Sequence, residues 1–503
     1  MLLLEVLAEQ ARRRPDHPFL LHAGRRMTYA EFDRETNRAA NALIALGVHK
    51  GDRVTMAMGN SIEYLVATFG ILKAGAVYNP VNPQLGGREL SFIVGHAAPR
   101  VLLTDAAHVE HVKQLHPPSP CVVAQYSHDV ADGVTNFAED VALADDTPPP
   151  VAVTAEDGST LLYTSGTTGN PKGVLFHHRS TGAAGVHFLT TLGITADDTI
   201  LAVTPLFHGN AWGAVVTALQ AGGAVAFPVS FSASDFWPLV HESGATVLYT
   251  LGTILAILLN REPGELEKTN RLRVIVGLGS APIRDRIIER FQVEHVAECF
   301  GSTDAGVVTI TPLGTAPRAG SAGPPVPGVE IRIVDDNGVD VAIGQPGEIL
   351  ISSPNRMACY FRDEVQTAAA LRDGWFHTGD LGYLDPEGWL YFVDRKRDVI
   401  RRGGENVSSV LIEKTLREHP AVTEAAVIGL PDPILGQEIK AFVVTRSPVT
   451  EDELRQFVSE RLAKFQVPRL WEFRDSLPKT ATQRVEKYKL RQEAGTAGKP
   501  LLG

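Results

Sequence analysis

A chain of 503 residues is too long for one hydrophobic core, so two or more domains are expected. The composition is globular, 44% hydrophobic and 21% charged, and 47 basic against 58 acidic residues leave a net charge of −11, which argues against a nucleic-acid partner but permits a local phosphate-binding patch. Cys121, Cys299 and Cys359 are scattered and odd in number, without ligand spacing, so neither a disulfide framework nor a zinc site is supported; the apolar start MLLL is broken by Glu5 and no apolar run reaches membrane-spanning length, so a cytoplasmic enzyme with no membrane partner is expected.

In chain order, MTYAEFDRETNRAANALIALGV opens with a capping box, Thr28 to Glu31, and continues with apolar residues at helical spacing. RVTMAMG, the helical SIEYLVATFGILKAG and AVYNPV then alternate strand with helix, the rhythm of an α/β layer with parallel strands. TILAVTPLF, GGAVAFPV, ATVLYT and LRVIVGLGS continue it. A Pro- and Gly-rich connection over 312–328 leads to the strand candidates EIRIVDD, GEILIS and WLYFVD. From 396 to 503 the texture is that of a small α+β domain. It holds a short helix, two strands and a helix capped by Thr450 and Glu453 that shows Leu454, Phe457, Val458 and Leu462 on one face. The boundary is expected at 395/396.

The chemistry-bearing string is LLYTSGTTGNPKGV, residues 161–174, which follows an apolar run. A loop packed with hydroxyls and glycines and ending in Lys172 can turn N–H and O–H groups onto phosphate oxygens while the ammonium adds a point charge. It is not a Walker loop, because Gly173 rather than Ser or Thr follows the lysine.

With PLFHGNAWG at 205–213, FGSTDAG at 300–306, GWFHTGDLGYLDPEGWLYFVDRKRD at 374–398 and GGENVSSVLIE at 403–413, the chain resembles the adenylate-forming superfamily of acyl-CoA synthetases, luciferases and peptide-synthetase adenylation domains. The resemblance runs across essentially the whole chain. It implies a large N-terminal region of several α/β/α and β subdomains, a small mobile C-terminal domain hinged near Arg397, and a reaction in two halves. A carboxylate is first joined to AMP using Mg-ATP; the acyl group then passes to a thiol such as coenzyme A.

By that resemblance, Thr164, Ser165, Gly166, Thr167, Thr168, Gly169 and Lys172 hold the triphosphate and Thr303 contacts a phosphate oxygen. Phe300, with Gly301 after it, lies against adenine; Asp380 binds the ribose with Arg395 beside it; Asp304 holds magnesium. His208 gates the passage between acyl pocket and thiol tunnel, and Gly403, Gly404 and Glu405 line that tunnel. Asn210, Ala211, Gly277, Gly279 and Ser280, with His208, are the acyl-pocket candidates; being small or neutral, they suit a bulky, hydrophobic, uncharged acid. His208 stands where amino-acid activators carry Asp, and the chain ends without a carrier domain, which favours a free organic acid and free coenzyme A.

Two departures bear on the chemistry. Asp304 replaces the Glu common at its place, shortening reach by ~1.5 Å. LPKTATQRVEK places Arg484 where the family carries the lysine that bridges substrate carboxylate and α-phosphate, and Gln483 where it carries glycine. A flat guanidinium substitutes poorly for an ammonium, and misplacing one preorganised donor costs ~10²–10³ in rate. Arg484 is therefore expected to depress adenylation and spare thioester formation from a supplied acyl-adenylate, which a separate adenylating enzyme would provide. Lys487 could instead take over, giving a complete ATP-dependent acyl-CoA synthetase. An enzyme that acylates a carrier protein or amine is a further alternative, whereas the intact phosphate loop, His208 and the GGENV loop argue against a ligand-binding relic. A homodimer is compatible with all of these.

Overall fold

The structure is a computed structural model that describes residues 2–85, 87–118, 120–164, 171–183, 185–278, 280, 283–316, 318–396, 398–402, 405–432, 434–479 and 485–496. The fold is mixed α/β, and the chain divides into two compact units, 1–331 with 351–376, and 332–350 with 377–503.

The first unit carries two large sheets. One has eight strands in the order Cys359–Tyr360, Lys172–His177, Gly158–Thr164, Val77–Pro80, Arg53–Ala57, Val101–Thr104, Val122–Gln125 and Thr135–Asn136. From Gly158–Thr164 onward its pairs are parallel, as the alternating strand and helix signals predict, whereas the first three strands meet antiparallel. The other has seven strands in the order His295–Ala297, Val274–Leu278, Val247–Leu251, Thr199–Ala202, Ala224–Ala226, Pro18–His22 and Arg25–Thr28, parallel apart from the last pair.

Capping side chains set where the helices begin. Thr28 and Glu31 close the capping box of Tyr29–Ala45, and Ser61 accepts from Tyr64 N to open Ile62–Lys73. That second helix is buried all round. Its Lys73 ammonium is stabilised inside by Asp33 and Asn37, each at 2.6 Å. No helix among the described residues is long and apolar enough to cross a membrane.

In the second unit, strands Val422–Asp432 and Gly436–Thr445 form a long antiparallel pair. Ala425 and Val427 face a core with Ile412, Leu416, Leu454 and Val458; Ala426 and Ile428 face the opposite one with Phe442, Leu477 and Leu490. Helices Ser409–Arg417 and Glu451–Ser459 cover the first face, and Lys487–Thr496 the second. The Thr450–Glu453 box forms as the sequence predicts. The unit also holds most of a β-hairpin, Trp375–Leu384 against Leu390–Arg395, whose first two residues belong to the first unit, with Tyr383 and Tyr391 stacked at 4.8 Å.

Candidate active site

In the first unit, several candidate residues follow the carboxyl ends of parallel strands, where α/β sheets place their ligands. Asn210 ties two of those ends together. Its Oδ1 accepts from Thr204 Oγ1 at 3.1 Å, beyond strand Thr199–Ala202, and its Nδ2 donates to Thr250 O at 3.4 Å in strand Val247–Leu251. Thr250 is in register with Gly277 on the next strand. Ala211, Gly277 and Ser280 are buried. Ser280 donates to Gly277 O at 2.9 Å and to Glu298 Oε2 at 2.8 Å, and its N–H meets the same Glu298 oxygen at 3.0 Å. The polar groups of Asn210 and Ser280 thus bond within the protein.

His208 is the N-cap residue of helix Gly209–Ala221 and is half-buried, its ring 5.6 Å from that of Phe207. Burial lowers its pKa, favouring the neutral imidazole. The segment before it is held by Asn60, whose Oδ1 accepts from Leu206 N at 2.8 Å while its Nδ2 donates to Pro228 O at 3.0 Å. Asn60 and Glu298 fasten these candidate residues, and sequence reasoning did not single them out. An Asn after a strand and a Glu before an aromatic carry no distinguishing pattern, because their partners are far away in sequence.

Thr164 and Lys172 are paired across the antiparallel strands Gly158–Thr164 and Lys172–His177, so the phosphate-loop candidate connects two adjacent strands. Ser165, Gly166, Thr167, Thr168 and Gly169 lie outside the described residues. The Lys172 ammonium stands 5.1 Å from the centre of the Tyr360 ring. Burial, then the neighbouring Asp304 carboxylate, pushes the Tyr360 hydroxyl pKa far up, so Tyr360 stays a neutral donor beside Asp304. Lys172, Tyr360 and Asp304 therefore form one cluster. Thr303 and Asp304 occupy the turn between strands Cys299–Ser302 and Gly306–Ile310; Phe300 N donates to Thr309 Oγ1 at 3.2 Å across that hairpin. Among the described residues no three His, Cys, Asp or Glu side chains gather as a metal cage. A single carboxylate of this kind fits Mg²⁺, which prefers one or two carboxylates plus substrate phosphates and water.

In the second unit, Asp380 and Arg395 are cross-strand partners of the hairpin, Arg395 Nε 3.6 Å from Asp380 Oδ1. Two motifs separated in sequence thus present one carboxylate and one guanidinium side by side. Glu405 is exposed at the start of strand Glu405–Val407, opposite Arg402. Gly279, Arg397, Gly403, Gly404 and Arg484 lie outside the described residues.

The chain matches two family profiles. The profile of the AMP-binding enzymes covers residues 7–361, and that of the AMP-binding enzyme C-terminal domain covers 411–484. This chain belongs to the AMP-binding enzyme family. It is 34% identical over 493 residues to a feruloyl-CoA synthase of Amycolatopsis sp, covering 97% of this chain and 98% of that one. The ATP-bound crystal structure of MatB from Rhodopseudomonas palustris superposes with a TM-score of 0.91 at 28% identity, over 99% of this chain and 100% of that one. The anthranilate CoA ligase AuaEII, in complex with anthranoyl-AMP, gives 0.90 at 27%, over 99% and 98%. The chain is thus an adenylate-forming enzyme of the acid–thiol ligase class, and two of its solved relatives hold ATP and anthranoyl-AMP.

Proposed function

We propose that this AMP-binding enzyme makes the coenzyme A thioester of a bulky, uncharged carboxylic acid, and that Arg484 restrains the first of its two half-reactions. In that half a substrate carboxylate oxygen attacks the α-phosphorus of ATP and pyrophosphate leaves. In the second the thiol of coenzyme A attacks the acyl carbon, AMP leaves and the thiol proton is released. Thr164, Ser165, Gly166, Thr167, Thr168, Gly169, Lys172 and Thr303 hold phosphate oxygens, Phe300 and Gly301 the adenine, and Asp380 with Arg395 the ribose. Asp304 would hold Mg²⁺, which when bound offsets the charge of the phosphates. Neutral His208 gates the acyl pocket, the Gly403, Gly404 and Glu405 loop lines the thiol tunnel, and the 396–503 domain turns about Arg397.

The observation that carries the adenylation claim is the placement of Lys487. It is the nearest cation on the C-terminal side of Arg484, and it is held in an ion pair with Glu413 at 2.7 Å, with both side chains largely buried. Breaking such a pair to supply a mobile ammonium costs about 3–5 kcal/mol. Arg484 is then left to bridge two anions with a group shaped for another geometry. A supplied acyl-adenylate, made by a separate adenylating enzyme, bypasses that step. Support for the acid comes from the small or neutral residues Asn210, Ala211, Gly277 and Ser280 and from the aryl acids named for two relatives, ferulate and anthranilate.

The test measures the halves separately on the purified protein across aryl and alkyl acids. Thioester formation from synthetic acyl-adenylate and coenzyme A is expected to outrun acid-dependent ATP–pyrophosphate exchange by about 10²-fold. Comparable rates in both would make this a complete synthetase.

A further inference from the structure

The segment that carries Arg484 is bracketed by two lysines, each committed to a carboxylate of the second unit. Lys479 pairs with Glu424 Oε1 at 2.7 Å and lies across an isolated antiparallel bridge from Val485; Glu486 N donates to Pro478 O at 2.8 Å just outside that bridge. Leu477 and Leu490 are sunk in the apolar cluster with Ala426, Ile428 and Phe442, and the partly buried Val485 packs against it. The residues on either side of 480–484 are therefore fixed to the sheet.

Lys487 fixes the outgoing end more deeply. Its ammonium sits 2.7 Å from Glu413 Oε1 and donates to Ser409 Oγ at 2.7 Å. Glu413 Oε1 also accepts from Val427 N at 2.7 Å, and Ser409 passes its own hydroxyl hydrogen to Asp394 Oδ2 at 2.9 Å. Asp394 in turn receives the N–H groups of Ser409 and Val410 at the start of helix Ser409–Arg417. Burial pushes the Glu413 carboxyl pKa up while Lys487 opposes it. An ammonium is compact and has three donors, so it can join a strand-facing carboxylate and a helix-end hydroxyl at once.

We propose that Lys487 is a positioning residue for adenylation: anchored to Glu413 and Ser409, and with Lys479 anchored to Glu424, it supports the action of Arg484 in that half-reaction. This rests on the reading of Arg484 as the adenylation cation. Its consequence is a loss confined to one half-reaction, because the second half does not use Arg484.

The test compares Lys487→Met, Lys487→Arg, Lys479→Met and Arg484→Ala, and the double variants of each Met change with Arg484→Ala. Each is assayed by acid-dependent pyrophosphate exchange and by thioester formation from synthetic acyl-adenylate. Lys487→Met is expected to lower exchange by about tenfold to a hundredfold, as small displacements of a reacting group do. Thioester formation should stay within about twofold. Added to Arg484→Ala, the same change should cost nothing further in exchange, because it acts through that residue. Lys487→Arg should recover part of the loss. If Lys487→Met does not fold, Lys479→Met, whose ion pair is partly exposed, carries the same expectation. Equal loss in both half-reactions, or an undiminished loss in the Arg484→Ala background, overturns the proposal. Unchanged exchange in Arg484→Ala alone would instead sink the underlying reading of Arg484, and is visible without the lysine variants.

Discussion

Asp380 owes its surroundings to a cross-strand partner. Its carboxylate lies beside Arg395 because Trp375–Leu384 and Leu390–Arg395 pair in that register, and Thr378 Oγ1 accepts its N–H at 2.9 Å. Asp380→Asn keeps the shape and removes the charge. If the carboxylate holds the ribose hydroxyls, calorimetric titration should find ATP binding weaker by about tenfold to a hundredfold, the worth of a charged hydrogen bond, with little change in melting temperature. Unchanged ATP affinity would remove Asp380 from the site. Asp380, Arg395, Lys172 and Asp304 were singled out from the sequence because each sits in a long ordered string. The anchor at Lys487 was not, and the sequence left it open as a substitute for Arg484. Its partner Glu413 lies on another helix, and only the packing of that helix against strand Val422–Asp432 brings the two together.

At the scale of elements, the hairpin bearing Phe300, Thr303 and Asp304 depends on close backbone approach. A Cβ at Gly301 would collide with Gly306 O, and Gly306 itself has φ +70° with Asn355 Cβ 2.8 Å from where its own Cβ would be. Gly301→Ala is expected to cost about 1–3 kcal/mol by overpacking and, because both strands must part, to weaken ATP binding as well. Thermal melts with and without ATP check both; wild-type behaviour in the two would show that the hairpin tolerates the side chain. Element types were well predicted here. The β-alternation, the Thr28 and Thr450 caps and the C-terminal helices all form, since local hydrophobic period and capping chemistry suffice for them. Strand order was not legible: nothing local states that Lys172–His177 runs antiparallel beside Gly158–Thr164, or that Thr199–Ala202 lies between Ala224–Ala226 and Val247–Leu251.

For the whole molecule, buried histidines set the response to acid. Burial lowers the pKa of His178 to about 4 and also depresses those of His187, His208 and His295. Each is therefore protonated more readily when the chain is unfolded, so stability is fully present above pH 6.5 and is lost as pH falls toward 4. For His178 alone the loss amounts to about 3 kcal/mol. Melting temperature should be nearly level from pH 8 to 7 and fall steeply between 6 and 5; a level profile down to pH 5 would contradict these burials. The reaction cycle joins this stable scaffold to a single replaced cation. The most direct measurement is acid-dependent ATP–pyrophosphate exchange by Arg484→Lys beside the wild-type protein, with thioester formation from supplied acyl-adenylate as the reference. If Arg484 restrains adenylation, the lysine variant should exchange about 10²-fold faster while the reference rate holds. Equal exchange in the two proteins would show that Arg484 is no restraint.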